Sequence, residues 1–205
     1  FHWRGYKRRK QGIGDCMKKN IITITGFPGS GKSSTAKEVA RVLGYKHFSS
    51  GDWYRAKAAE RGISVEEMNF TAEKEKEIDT EIDQMLVKVG KEENDLVIDS
   101  RTAFHWIPAS FKIFLDLDLR TAAERTFANI RKEGRNSQKG SSVDEIYNNT
   151  LARRESERKR YWDLYKIDYS DKRQFDLIID TATHDLDQVT QIVLREYKKW
   201  LDVRA

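Results

Sequence analysis

Gly26-Phe27-Pro28-Gly29-Ser30-Gly31-Lys32-Ser33 is the stretch on which the reading of this chain turns. It follows the pattern G-x-x-x-x-G-K-[ST], a loop whose glycines let backbone N–H groups converge on phosphate oxygens without side-chain obstruction. Upstream, Ile21-Ile22-Thr23-Ile24-Thr25 is a short, apolar, β-branched run that reads as a buried strand. Downstream, Ala36, Val39, Ala40 and Leu43 recur at helical spacing and Gly44 ends the helix. This strand–loop–helix context separates a phosphate loop from a mere glycine-rich turn, because the helix points its positive end at the bound anion. Lys32 then supplies a point charge for the β and γ phosphates of a nucleoside triphosphate, and the Ser33 hydroxyl is placed to ligate Mg²⁺.

Working outward, Lys46–Ser49, Leu96-Val97-Ile98, Phe111–Leu115 and Leu177-Ile178-Ile179 read as four more strands. Between them, a helix starts after Ser50-Gly51. A single amphipathic helix is expected over residues 72–91, with Ile78, Ile82, Met85, Leu86 and Val89 on one face. Residues 119–132 and about 143–166 read as helices around a loop at 133–141. Leu186, Val189, Val193, Tyr197 and Trp200 mark the last helix. Short buried strands alternating with helices predict an α/β fold on a five-stranded parallel sheet, whose ligands bind at the carboxyl ends of the strands.

The 205 residues amount to one domain by length, with 38% hydrophobic and 35% charged residues. No apolar run approaches the ~20 residues that span a bilayer. Cys16, the single cysteine, cannot form an internal disulfide, so a reducing, cytoplasmic setting is expected. The net charge of +5 invites a nucleic-acid partner, but residues 1–16 carry five basic residues (Arg4, Lys7, Arg8, Arg9, Lys10) against Asp15. The basic character is therefore largely a property of that segment. It is expected to lie outside the functional domain at 17–205, with a phosphate-binding arm as the other reading.

The residues that follow the strands carry the chemistry. The third strand ends in Asp99-Ser100-Arg101, where a carboxylate lies beside the phosphate loop and can hold Mg²⁺ or cap the strand end. Arg101 presents a bidentate fork to an acceptor phosphate. The second strand ends in Ser49-Ser50-Gly51-Asp52, where Ser50 or Asp52 caps a helix or meets a ligand. Arg55, one turn on, is expected near Arg101. On the long helix, Arg153, Glu157 and Arg160 share one face at i, i+4 and i+7. That spacing suits a solvated ion-pair face and a helix over a polar cleft equally.

Residues 17–200 resemble the cytidylate kinases, most closely the compact archaeal and bacterial type. The resemblance rests on the phosphate loop 26–33, Ser-Ser-Gly-Asp-Trp-Tyr-Arg at 49–55, Gly62-Ile63-Ser64 with Glu66-Glu67, and Ile98-Asp99-Ser100-Arg101. It continues in Arg154-Glu155-Ser156-Glu157 with Arg160-Tyr161, Tyr165-Lys166-Ile167-Asp168 and Asp176–Thr181. It implies a P-loop NTPase fold of three α/β/α layers, with a helical acceptor-binding insert at about 52–93 and a lid at about 131–153. It implies transfer of the ATP γ-phosphate to CMP or dCMP with Mg²⁺, in a protein that is a monomer and needs neither nucleic acid nor a membrane. The implied triphosphate set is Gly26, Pro28, Gly29, Ser30, Gly31, Lys32, Ser33 and Ser34, and the implied metal pair is Ser33 and Asp99. Ser50, Asp52, Arg55 and Arg101 would bind the acceptor; Lys32, Arg153, Glu157 and Arg160 would act near the transferring phosphate. After Arg101 the chain departs from the larger bacterial enzymes: Thr102 stands where they carry an acidic residue, and His105 and Trp106 either stack on a base or pack.

Other readings remain open at this stage. The acceptor could be AMP, UMP or a phosphate-free metabolite such as shikimate, although paired arginines favour a phosphorylated one. A GTP-dependent switch should carry Asn-Lys-x-Asp after a strand, and none is present.

Overall fold

A computed structural model describes residues 19–133 and 142–204, so the basic segment 1–16 and the loop of the expected lid at 134–141 lie outside the described residues. Five strands, β1 (Ile21–Gly26), β2 (Lys46–Ser49), β3 (Leu96–Asp99), β4 (Phe111–Asp116) and β5 (Leu177–Asp180), form one sheet in the order β2-β3-β1-β4-β5. Every pairing is parallel, with β1 in the centre: Ile24 lies opposite Asp99 on β3 and Ile113 on β4. The helices are α1 (Lys32–Leu43), α2 (Ser50–Glu60), α3 (Val65–Lys74), α4 (Lys76–Glu92), α5 (Ala103–Trp106), α6 (Leu119–Glu133), α7 (Val143–Tyr165) and α8 (Leu186–Arg204).

Strand alternation sorts the core into two faces. Ile22 and Ile24 of β1, Val97 of β3 and Phe111, Ile113 and Leu115 of β4 pack with Ala36, Val39 and Ala40 of α1 and Val189, Val193 and Tyr197 of α8. On the opposite face Ile21, Leu96 and Ile98 meet Leu86 of α4 with Ala103 and Ile107. Two β1 threonines also turn to that face: Thr23 shares a hydrogen bond with Ser110 (3.0 Å) and Thr25 donates to the Ser100 carbonyl (3.0 Å). Their hydroxyls are thus satisfied in a buried setting, where an unpaired one costs about 1–3 kcal/mol.

The expected strands and the three-layer α/β/α arrangement are present. The single helix expected at 72–91 is instead two helices. Glu75 adopts φ −101° and ψ 90°, which breaks the run, so residues 72–74 close α3 and α4 begins at residue 76. Helix α3 starts with a capping box: Ser64 Oγ accepts from Glu67 N, and Glu67 accepts in return from Ser64 N. The cap of α2 is Ser49 rather than Ser50 or Asp52; its Oγ accepts from Asp52 N at 3.2 Å. Helices α2 to α4 fill the stretch between β2 and β3 where the insert is expected.

Gly26 makes the exit from β1 possible. It has φ +152°, and a Cβ there would run into the Leu115 carbonyl oxygen on the neighbouring strand. Gly26→Ala is therefore expected to destabilise the fold by more than about 2 kcal/mol. A urea titration should show a lower midpoint at unchanged slope.

Candidate active site

The phosphate loop hangs between β1 and α1. Gly29 and Gly31 have φ of +81° and +85°, a conformation that side chains disfavour. Ser30 N closes the turn on the Phe27 carbonyl at 3.2 Å, and Lys32 Nζ folds back onto the same oxygen at 2.9 Å. No side chain caps the start of α1, so its first amides face the loop. Burial, and next the nearby Arg101 charge, push Lys32 down to about 8 from its ordinary 10.5. Pro28 and Ser30 belong to the same turn, whereas Ser34 is exposed on the first turn of α1.

Beside the loop, Ser33 Oγ donates to Asp99 Oδ2, and Ser49 Oγ reaches the same oxygen at 3.4 Å. Asp99 is buried at the end of β3, and Ser50 Oγ donates to its backbone carbonyl at 3.2 Å. A hydroxyl and a carboxylate in contact are hard oxygen donors of the kind Mg²⁺ takes, with phosphate oxygens and water completing the octahedron. The pair fits that ion.

A cleft opens next to this pair, between the strand ends, α4 and α7. Its floor is an ion-pair network. Arg101 Nε lies 2.6 Å from Glu157 Oε2, and Arg153 Nε donates to Glu157 Oε1 at 2.9 Å. Burial works to raise the Glu157 carboxyl, but Arg101 and then Arg153 outweigh it and hold the group below the usual carboxylate range. One turn on, Arg160 Nε donates to Asp79 Oδ2 at 3.0 Å, both side chains under 10% exposed. Asp79 is pushed up to about 6 by burial, against the pull of Arg160.

The Arg153–Glu157–Arg160 face is therefore the wall of a polar cleft and not a solvated ion-pair face. The next residue round the helix, Arg154, stacks its guanidinium 3.6 Å over the Phe27 ring of the phosphate loop. Helix α7 thus touches both halves of the site. Lys32, Ser33, Asp99, Ser50, Arg101, Arg153, Glu157 and Arg160 are brought together. Asp52 and Arg55 are not brought to the cleft wall: they pair with each other on the exposed side of α2, with the Arg55 guanidinium beside Gly51 at the cleft mouth. Trp106 packs; its Nε1 donates to Asp83 at 2.8 Å and its ring meets Tyr165 edge-on at 5.2 Å. His105 is exposed.

Sequence reasoning passed over Asp79 and Asp83. Both sit next to Ile78 and Ile82 at the same i, i+4 spacing, and this repetition of a carboxylate beside the apolar stripe was the signal available.

Relatives of known name share this framework across most of its length. The chain is 36% identical over 175 residues to the cytidylate kinase of Methanocella arvoryzae, covering 85% of this chain and 95% of that protein. It is 38% identical over 174 residues to the cytidylate kinase of Pyrococcus abyssi (84% and 91%). The chain belongs to the cytidylate kinase family. Residues 25–143 also match the AAA domain family, a span that runs from the phosphate loop through β4 and α6. Solved structures show the fold alone. An uncharacterised Eubacterium ventriosum protein aligns with TM-score 0.62 at 19% identity (88% of this chain, 99% of that one). A shikimate kinase from Bacteroides thetaiotaomicron aligns with TM-score 0.58 at 21% identity (89% and 98%).

The buried ammonium of Lys32 carries a testable cost. Its folded pKa lies below its free value, so between about pH 8 and 10.5 the unfolded chain holds more protons and stability rises with pH. Below pH 8 the cost is constant. Lys32→Met should abolish turnover yet raise the melting temperature of the ligand-free protein at pH 7. Calorimetry from pH 7 to 10 should show that advantage shrinking as pH rises.

Proposed function

We propose that this chain is an ATP-dependent cytidylate kinase, moving the γ-phosphate of ATP to CMP or dCMP and giving ADP with CDP or dCDP. The observation that carries the reading is the cluster of Arg101, Arg153 and Arg160 around the buried carboxylates Glu157 and Asp79, close enough to Lys32 for Arg101 and Glu157 to act on its charge. Such a cluster suits an acceptor that brings its own negative charge. A phosphate oxygen of that acceptor is already a nucleophile, so the protein needs no general base; positioning and charge neutralisation do the chemistry.

In this reading the amides of residues 26–33 and the Lys32 ammonium hold the β and γ phosphates. Arg101 and Arg153 turn from Glu157 toward the acceptor phosphate and steady the charge on the equatorial oxygens in transit. Glu157 keeps these guanidiniums aligned, and Arg160 is held in reserve on Asp79. Ser33 and Asp99 would hold Mg²⁺, which when bound neutralises charge on the triphosphate. Helices α2 to α4 form the acceptor-binding insert, residues about 131–153 close over the site to exclude water, and the enzyme works as a cytoplasmic monomer without nucleic acid. Among the described residues no helix is long and apolar enough to cross a membrane.

An ADP-release assay across CMP, dCMP, UMP, AMP and shikimate tests the reading. The cytidine nucleotides should lead; preference for AMP or shikimate would overturn it. Arg101→Ala should lower acceptor kcat/KM at least about tenfold, since each lost charged hydrogen bond is worth roughly 1.5–3 kcal/mol. An unchanged value would remove Arg101 from the acceptor site.

A further inference from the structure

Arg101 needs direction as well as charge to clamp a phosphate. Its Nε lies 2.6 Å from Glu157 Oε2, yet neither atom completes an aligned hydrogen bond there. Arg153 differs, because its Nε donates to the other Glu157 oxygen at 2.9 Å. Glu157 therefore balances the Arg101 charge without setting which way the fork faces. For a planar guanidinium that direction decides its use, since parallel N–H groups meet phosphate oxygens only along the plane of the fork.

A second group reaches Arg101 from outside the cleft. Tyr169 is fully buried and lines no part of the cleft, whereas Arg101 and Tyr161 do. Its ring meets Tyr161 edge-on at 5.9 Å and Phe27 of the phosphate loop at 6.2 Å. The chain around it is held as well. Lys166 ends α7 in the left-handed conformation, and Asp168 Oδ1 accepts from Ser170 N at 2.9 Å and Ser170 Oγ at 2.6 Å. Gln174 Nε2 then donates to the Asp168 carbonyl at 2.8 Å. Ring and backbone together fix where the hydroxyl sits, as a supporting group requires. Arg101 is its hydrogen-bonding neighbour, in a loosely aligned contact, with the charges of Glu157 and Arg154 close by. Burial, and next the Glu157 charge, push the hydroxyl up to about 12, so it stays neutral. A neutral oxygen can accept from a guanidinium without cancelling its charge, which a carboxylate cannot do.

We propose that Tyr169 is a positioning residue for the acceptor phosphate: its hydroxyl accepts from the Arg101 guanidinium and keeps the fork turned to the cleft when Arg101 leaves Glu157. The proposal rests on the acceptor role of Arg101 above and names what holds that arginine in place.

Tyr169→Phe keeps the ring and its edge contacts and removes only the hydroxyl. The test is a double-mutant cycle on the full chain, with Tyr169→Phe, Arg101→Ala and both together. It is read as kcat/KM for whichever monophosphate the wild type uses best. Alone, Tyr169→Phe should lower that value at least about fivefold, chiefly through KM, while kcat/KM for ATP changes less than about twofold. In the Arg101→Ala background it should change the value less than about twofold, because no fork is left to hold. An equal loss in both backgrounds, as a purely structural role would give, overturns the proposal. So does an unchanged value for Tyr169→Phe alone, or its failure to melt cooperatively. An Arg101→Ala value equal to wild type would strike the acceptor role of Arg101 and the proposal with it. Preference for a base other than cytosine strikes the cytidylate reading alone, since the cycle follows the preferred monophosphate.

Discussion

Two guanidiniums and one carboxylate, Arg101, Arg153 and Glu157, hold this site in shape. Moving an isolated charge out of water costs several kcal/mol even after relaxation, and only close pairing recovers it. Arg101 comes from the end of a central strand and the other two from α7, so the pairing ties a helix to the sheet as well as balancing charge. Arg160 and Asp79 repeat the arrangement between α7 and α4. The cleft exists because these charges must be kept apart from solvent and close to one another, with apolar packing beneath them.

A transferred phosphoryl group asks for the same arrangement. Charge has to be in place before the reaction, since dipoles that reorganise during it lose much of their value. Here the cations are fixed in advance by anions of the protein, at Glu157 and Asp79, which an incoming phosphate can partly replace. Lys32 differs in kind: its ammonium rests on a backbone carbonyl, and burial, with the Arg101 charge next, lowers its proton affinity. It is costly when the site is empty and well matched once phosphate oxygens arrive, a stability–activity exchange common at such sites.

Sheet, phosphate loop and most helices were legible in the sequence because each has a local signature. The strands are short β-branched runs, the loop is a fixed pattern of glycines, and α1 ends on Gly44 in the left-handed conformation. Family resemblance supplied the roles of Arg101, Arg153, Glu157 and Arg160; their spacing left open whether the α7 face met water or a cleft. That choice depended on what packs opposite, and Asp79 lies 81 positions from Arg160 in sequence. The break at Glu75 left no glycine or proline to mark it, and charged residues on both sides kept the helical pattern running through. Arg55 looked like a partner of Arg101 because both follow strands, yet an acidic neighbour three residues earlier holds it on the outer side of α2.

The stacking of Arg154 on Phe27 has a consequence for how the two substrates sense each other. The Phe27 ring also makes edge-type contacts with Phe114 at 5.4 Å and Tyr169 at 6.2 Å, so it cannot follow α7 freely. A shift of α7 that accommodates the acceptor nucleotide changes the load on the loop that carries the donor. Binding free energies connected through one rigid helix are not independent, and thermodynamic linkage makes the connection reciprocal. Whatever factor the monophosphate applies to the affinity for the triphosphate, the triphosphate returns in full.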